Sequence, residues 1–390
     1  MKAHVAAMTV TTAAGAGTLA TLAALRAQRS PLVQQPFEGV EFDTCTGVVS
    51  ELDDVALPPT LASYDCRSNR LAEFALAHDA FEAALAAARR RYGPTRIGVY
   101  VGTSGSGILE VELGYRARDP QGALPSSLRY REAMNLFSPA AYLLERLQLS
   151  GPAVVVSAAC ASSAKAFAAA ARAMATGLCD AAVVGGVEAL CLTTLFGFRS
   201  LELLSAQPCR PCDARRDGIS LGEAAGYVLL TRDPGSLGFA LTGFGEGSDA
   251  YHLSTPHPEG VGAALAMRAA IAMADVDTID YVNLHGTGTR TNDVAEDIAI
   301  RAVLGDAVAR SSTKGMTGHT LGAAGLVEAV VTLLAMRESF LPGTFNCADV
   351  DPAIRGNVIL QGRVASIRHA LSNSFGFGGS NCALVFENAA

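Results

Sequence analysis

A cysteine, two histidines, a lysine and a glutamate give this chain its chemical possibilities, and most of them stand beside a turn. Cys160 lies in SAACASSAKAFAAAARAMATG, where a short apolar strand gives way to a helix of small residues. A lone thiol is more often a small buried hydrophobe than a reagent. Its place at the expected start of a helix changes that reading, because the unpaired N–H groups there favour a thiolate and predict a lowered pKa. His285 in LHGTGT and His319 in KGMTGHTLGAAG fall where strands pass into Gly-rich loops. Singly each reads as a structural histidine; with Cys160 they make a Cys-His-His set suited to nucleophilic catalysis. Metal binding is the competing use of such a set. Histidines in separate loops without paired carboxylate spacing are a poor ligand group, so no metal is expected.

Lys314 precedes His319 in the same loop, and Glu328 comes after it on the next helix. The lysine sits between a β-branched run and a Gly-rich turn, which predicts a buried ion pair between the two. NSFGFGGSN, residues 373–381, sets Phe375 and Phe377 among glycines that let main-chain N–H groups approach a ligand closely. The same run also reads as an ordinary turn between strands.

The elements that must hold these groups repeat. RIGVYVGTSGSG (96–107) and IDYVNLHGTGTR (279–290) are both apolar strands ending in a Gly-Thr turn. Each is followed by a further strand, AVVVSAAC (153–160) and ARSSTKGM (309–316), and then by a helix apolar or small on all sides. The strands AAVVGGVEAL (181–190) and NCALVFE (381–387) are expected to close the two halves. The pattern is one α/β unit used twice, with residues 1–235 carrying the cysteine and residues 236–390 the histidines. All-apolar helices belong in the middle of the molecule, so the site is expected between the halves.

Composition narrows the function. Half of the 390 residues are apolar, enough for a large core, and the net charge of -7 argues against coating nucleic acid or an anionic membrane. Nine cysteines without regular spacing suit a reducing, cytoplasmic setting better than a disulfide framework. The opening MKAHVAAMTVTTAAGAGTLATLAALRAQRS imitates a signal peptide, but Thr and Gly interrupt it, and a first strand followed by a small-residue helix is expected. No run reaches the length of a membrane span.

With SAACASS, HGTGT, KGMTGHTLGAAG and NSFGFGGSN in this order, the chain resembles the β-ketoacyl-acyl carrier protein synthases of the Cys-His-His type. CDARRDGISLGEAAGYVLL (212–230) and GSDAYHLSTPHPEG (247–260) extend the likeness, which is weakest before residue 95. In whole-chain character, as in SSTKGMTGHTLGAAG and PCRPCDARRDGISLGEAAG, the chain is most similar to the synthases of aryl polyene biosynthesis, with no single diagnostic residue. The resemblance implies a thiolase fold, a five-layered αβαβα sandwich of two similar halves, usually dimeric. It implies that Cys160 carries the acyl chain, that the N–H groups of Cys160 and Phe377 form the oxyanion hole with Phe375 at the gate, and that His285 and His319 act on the malonyl thioester. Lys314 and Glu328 would then hold the His319 loop, and Thr287 and Thr289 would bind the pantetheine arm. The implied partners are an acyl carrier protein and a second synthase chain, identical or of the chain-length-factor kind. No cofactor is implied beyond the carrier's phosphopantetheine.

One position departs from the family: five residues after the nucleophile, where His is common, this chain has Lys165. Carrier docking is expected on a local basic patch, for which Arg67, Arg70, Arg210, Arg215 and Arg216 are the candidates. A thiolase acting on coenzyme A thioesters would need a second reactive cysteine; Cys382 is near the right place but reads as part of a strand. A priming synthase would have Asn in place of His319, and a chain-length factor would lack Cys160.

Overall fold

The computed structural model describes residues 2–34 and 39–388. Its first half supplies β1 (Ala3–Thr12), β2 (Ile97–Gly102), β3 (Ala153–Val156), β4 (Ala181–Glu188) and β5 (Ala224–Thr231). The second supplies β6 (Phe239–Ser248), β7 (Tyr281–Asn283), β8 (Ala309–Ser311), β9 (His369–Gly376) and β10 (Ser380–Asn388). Their order across the sheet is β3-β2-β4-β5-β1 and β6-β10-β9-β7-β8, so the two halves repeat one another outward from a shared seam. Senses repeat too: β2 runs parallel to β3 and β4, as β7 does to β8 and β9. β5 and β10 run antiparallel to both of their neighbours. The halves join where Ala3 pairs with Leu241 and His4 with Ala240.

Strands β2, β4 and β5 are buried at every position because both of their faces are covered. In β2, Val99 and Val101 face helices Arg67–Leu76, Phe81–Tyr92 and Ser138–Arg146, while Tyr100 faces the opposite way. That inner side holds helices Ser162–Ala175 and Ala324–Arg337 in one continuous core with strands of both halves. The outer face of the second half packs helices Val261–Ala274 and Arg290–Leu304. Helix, sheet, paired helices, sheet and helix make the five layers of the expected thiolase fold. The central helices need small residues to meet: a Cβ on Gly325 would stand 2.7 Å from the Ala164 nitrogen.

The opening segment forms β1 and a helix over Gly17–Ala27, as its pattern predicts. Two expectations need correction. AAVVGGVEAL is not the counterpart of NCALVFE: position in the sheet matches β4 with β9, and β5 with β10. The strand expected over 309–316 ends at Ser311, because Lys314–Thr317 turns helical.

Candidate active site

Cys160, His285 and His319 each lie in the segment that follows an outer strand of its half, β3, β7 and β8 respectively. After β3 the chain makes a sharp elbow at Ala159, a non-glycine residue in the left-handed region (φ 48°), which turns Cys160 toward the second half. The Ser162 hydroxyl braces this elbow, accepting from the Ala158 N–H at 2.9 Å and donating to the Ala159 carbonyl at 2.6 Å. His285 leaves β7, and its backbone N–H and that of Gly286 both donate to Glu296 at 2.8 Å. His319 comes after the short Lys314–Thr317 helix and a reversal at Gly318, where φ is 69°. Its backbone N–H donates to the Ser220 carbonyl at 2.6 Å.

These turns bring a Cys160, a His285 and a His319 ligand atom within 4.8 Å of one another, all three residues being buried. The imidazole rings meet edge to face, with centroids 5.3 Å apart. His319 Nδ1 accepts the Leu321 N–H at 3.2 Å, which leaves its ring proton on Nε2. Lys314 Nζ stands 3.3 Å from His285 Nδ1 and, donating to it, places that ring's proton on Nε2 as well. Burial, followed by the Lys314 cation, holds both histidines well below the usual histidine range; His319 adds to the effect on His285. They are therefore neutral N–H donors at neutral pH. Three such ligand atoms have the makings of a metal site, but the adjacent ammonium opposes a divalent cation and leaves the set better fitted to an oxyanion.

The thiol differs from expectation. Burial pushes Cys160 up to about 12, outweighing the Lys314 cation and the Phe377 backbone N–H, which both pull it down. The physical reason is position: the helix begins at Ser162, so Cys160 precedes its first turn and is only 6 % exposed.

The Lys314–Glu328 ion pair is formed and buried. Burial raises Glu328 to about 7 against the opposing lysine. The pair's expected task is to fasten the His319 loop; the ammonium also reaches the ring and the carbonyl oxygen of His285. Thr287, Thr289, Phe375 and Phe377 line the same cleft, which opens to solvent at its mouth. Phe375 packs on His285 and Phe377 on Phe198, with ring centroids 5.8 and 5.6 Å apart. Cys382, by contrast, is buried within β10.

The arginine candidates separate. Arg67 is bidentate to buried Glu223 at 2.6 and 2.7 Å, and Arg216 is 1 % exposed and pairs with Asp351 at 2.6 Å. Neither side chain is free to meet a carrier, because a buried carboxylate needs its cation. Arg70 pairs with Asp65 at 2.6 Å and Arg210 is half-buried, whereas the Arg215 side chain is 66 % exposed. Lys165 is paired with Glu246 at 2.9 Å.

Two positioning carboxylates are not apparent from the sequence. Glu188, buried at the end of β4, accepts from the backbone N–H groups of Ser104, Gly105 and Gly322 at 2.7–2.8 Å, tying loops of both halves together. Glu296, besides its two backbone donors, accepts from Asn373 at 3.0 Å, and burial raises it to about 7. For Glu188 the available signal is a single acid inside an apolar run, VVGGVEAL.

Residues 68–234 match the family description "Beta-ketoacyl synthase, N-terminal domain" and residues 239–348 match "Beta-ketoacyl synthase, C-terminal domain". The 3-oxoacyl-[acyl-carrier-protein] synthase 2 of Vibrio cholerae is 37% identical over 313 residues, 75% of this chain and 76% of that protein. The synthase of the same name from Rhizobium meliloti is 40% identical over 316 residues, 74% and 73% of the two chains. Among solved structures, a ketosynthase in complex with its chain length factor from Xenorhabdus doucetiae superposes with TM-score 0.91 at 36% identity, covering 100% of this chain and 98% of that one. A β-ketoacyl synthase from Burkholderia phymatum gives TM-score 0.88 at 28% identity, with full coverage of both chains. The chain belongs to the β-ketoacyl synthase family and is an acyltransferase.

Proposed function

We propose that this chain joins an acyl group held on Cys160 to malonyl-acyl carrier protein by decarboxylative Claisen condensation, elongating an aryl polyene chain. The observation that carries the reading is the thiol flanked by two neutral imidazoles whose Nε2–H groups are both left free to donate. Cys160 Sγ attacks the carbonyl carbon of the acyl carrier thioester while the N–H groups of Cys160 and Phe377 hold the developing oxyanion. The carrier thiolate leaves and takes up the proton that Cys160 gives up. His285 and His319 then donate to the thioester oxygen of the malonyl carrier, whose carboxylate departs as carbon dioxide and leaves its electron pair in an enolate. The enolate carbon attacks the acyl-Cys160 carbonyl, the C–S bond breaks, and the released thiolate takes one proton from solvent. A thiol near 12 favours that last protonation. Thr287 and Thr289 hold the pantetheine arm, and the carrier's phosphopantetheine is the one prosthetic group the reaction needs.

The chain divides between residues 235 and 236 into a nucleophile half and a histidine half, and it works in the cytoplasm, where its nine free cysteines stay reduced. It pairs with a second synthase-like chain through β3, a sheet edge on which Val154 is 38 % exposed. Likeness over its whole length to a ketosynthase found with its chain length factor favours a non-identical partner. Aryl polyene extension is supported by that likeness and by the aromatic lining of the cleft, to which Phe198, Phe375 and Phe377 contribute.

The test is intact mass and peptide mapping after incubation with acyl carriers, then addition of malonyl carrier with carbon dioxide measured. Acyl mass on Cys160 and one carbon dioxide per elongation are expected, with conjugated aryl-acyl carriers outpacing saturated ones of equal length. Elongation without acyl-Cys160 would overturn the mechanism, and equal rates would overturn the substrate.

A further inference from the structure

Arg216 spends its guanidinium on the far side of the turn that carries His285, Thr287 and Thr289. Its Nε donates to the Thr289 carbonyl at 3.2 Å, and one terminal nitrogen donates to the Arg290 carbonyl, also at 3.2 Å. The other terminal nitrogen takes the Asp213 carbonyl at 2.9 Å and Asp351 at 2.6 Å, and Asp293 lies 3.4 Å from Nε. Asp293 in turn accepts the Gly288 N–H at 3.2 Å, while Gly218 donates to the Gly288 carbonyl at 3.1 Å. Glu296 grips the start of the turn at His285 and Gly286. The turn is thus held at two separate places, one under the histidine and one under the threonines.

We infer that Arg216 is a positioning residue for the pantetheine arm: through the Thr289 and Arg290 carbonyls and Asp293 it sets where the hydroxyls of Thr287 and Thr289 stand, without setting the His285 ring. Those hydroxyls are 2.9 Å apart, so each orients the other, and Thr289 also accepts the Asn292 N–H at the start of helix Arg290–Leu304. Arginine suits the task because its planar fork serves carbonyls and carboxylates in several directions at once, which a lysine ammonium cannot do. The inference rests on the reading that Thr287 and Thr289 bind the arm.

The experiment compares decarboxylation of malonyl-pantetheine with that of a malonyl thioester of a short alkyl thiol lacking the arm's amides, as a ratio of kcat/KM. Three folded variants are measured: Arg216→Lys, Asp351→Asn, which loosens Arg216 from outside the turn, and the double variant Thr287→Val/Thr289→Val. Arg216→Lys should narrow the ratio by about tenfold, the worth of one or two misplaced hydrogen bonds, by raising KM for the longer substrate alone. Asp351→Asn should narrow it less. A merely structural role would lower both substrates together, and an unchanged ratio in both Arg216→Lys and Asp351→Asn overturns the inference. If Arg216→Lys does not fold, Asp351→Asn decides by the same ratio. If the threonine variant leaves the ratio unchanged, the pantetheine reading falls and takes this inference with it; if that variant narrows the ratio and the other two do not, the inference alone falls.

Discussion

The two halves share one strand order and differ in the connection after the third strand, which carries the chemistry in each. After β3 the chain needs a single elbow to reach the helix Ser162–Ala175, and Cys160 sits on that elbow. After β8 it inserts a short helix and a 3-10 turn before the matching helix at Ala324–Arg337, and this detour carries Lys314 and His319. The matching helices differ as well. The first leaves Lys165, Ala169 and Ala171 partly exposed, whereas the second is buried from Ala324 to Met336. A duplicated scaffold has one half holding a reagent at an edge and the other holding a charged support inside the core. The lesson is that the connection after one strand, and not the fold, decides which chemistry a half performs.

The contrast is broken most completely by removing the reagent of the first half. Cys160→Ala should cut condensation by at least about a thousandfold while leaving the melting temperature nearly unchanged, since one small side chain is replaced by another. A thermal melt beside an elongation assay checks this. In the second half, His285→Ala and His319→Ala should each still take the acyl group onto Cys160. Each should slow carbon dioxide release by about a hundredfold, the usual cost of one oxyanion donor.

Lys314→Met sharpens the contrast, because it leaves Glu328 buried without its cation and should cost about 3–5 kcal/mol of stability, measurable by denaturant unfolding. Since Lys314 lowers both histidines, its loss should also move the acid limb of carbon dioxide release upward, toward the ordinary histidine value. In the unaltered chain that limb should lie well below pH 6.5. The thiol gives a milder test: with Cys160 near 12, alkylation by iodoacetamide should rise about tenfold per pH unit between about pH 7 and 9 without levelling off. The smallest effect is expected at Arg215, where substitution by Ala should raise KM for the carrier about twofold at low salt and less as salt is added.

Much of this is legible in the chain. Cys160, His285 and His319 can be read because small residues and glycines mark the turns that expose them, and the strands can be read because covered sheets leave unbroken apolar runs. The features that stay hidden depend on partners distant in sequence. Arg67 and Arg216 look like surface cations until Glu223 and Asp351 are seen beside them. The rise in the Cys160 pKa is hidden because a helix start is visible in sequence, while the depth at which it is buried is not. The pairing of AAVVGGVEAL with NCALVFE fails because both are apolar and nothing local reports a position in a sheet.

The seam has a consequence for how the chain is made. β1 finds its main neighbour in β5, and its first residues also touch β6 at Leu241. Apart from its last two residues, which pair with Gly15–Ala16, β1 therefore waits for residues near 231 to appear before it can pair. At about 5–20 residues per second this is roughly ten to forty seconds with an apolar strand unmatched. Such long-range closure makes for slow folding, and β1 is then a segment in need of protection by chaperones during synthesis.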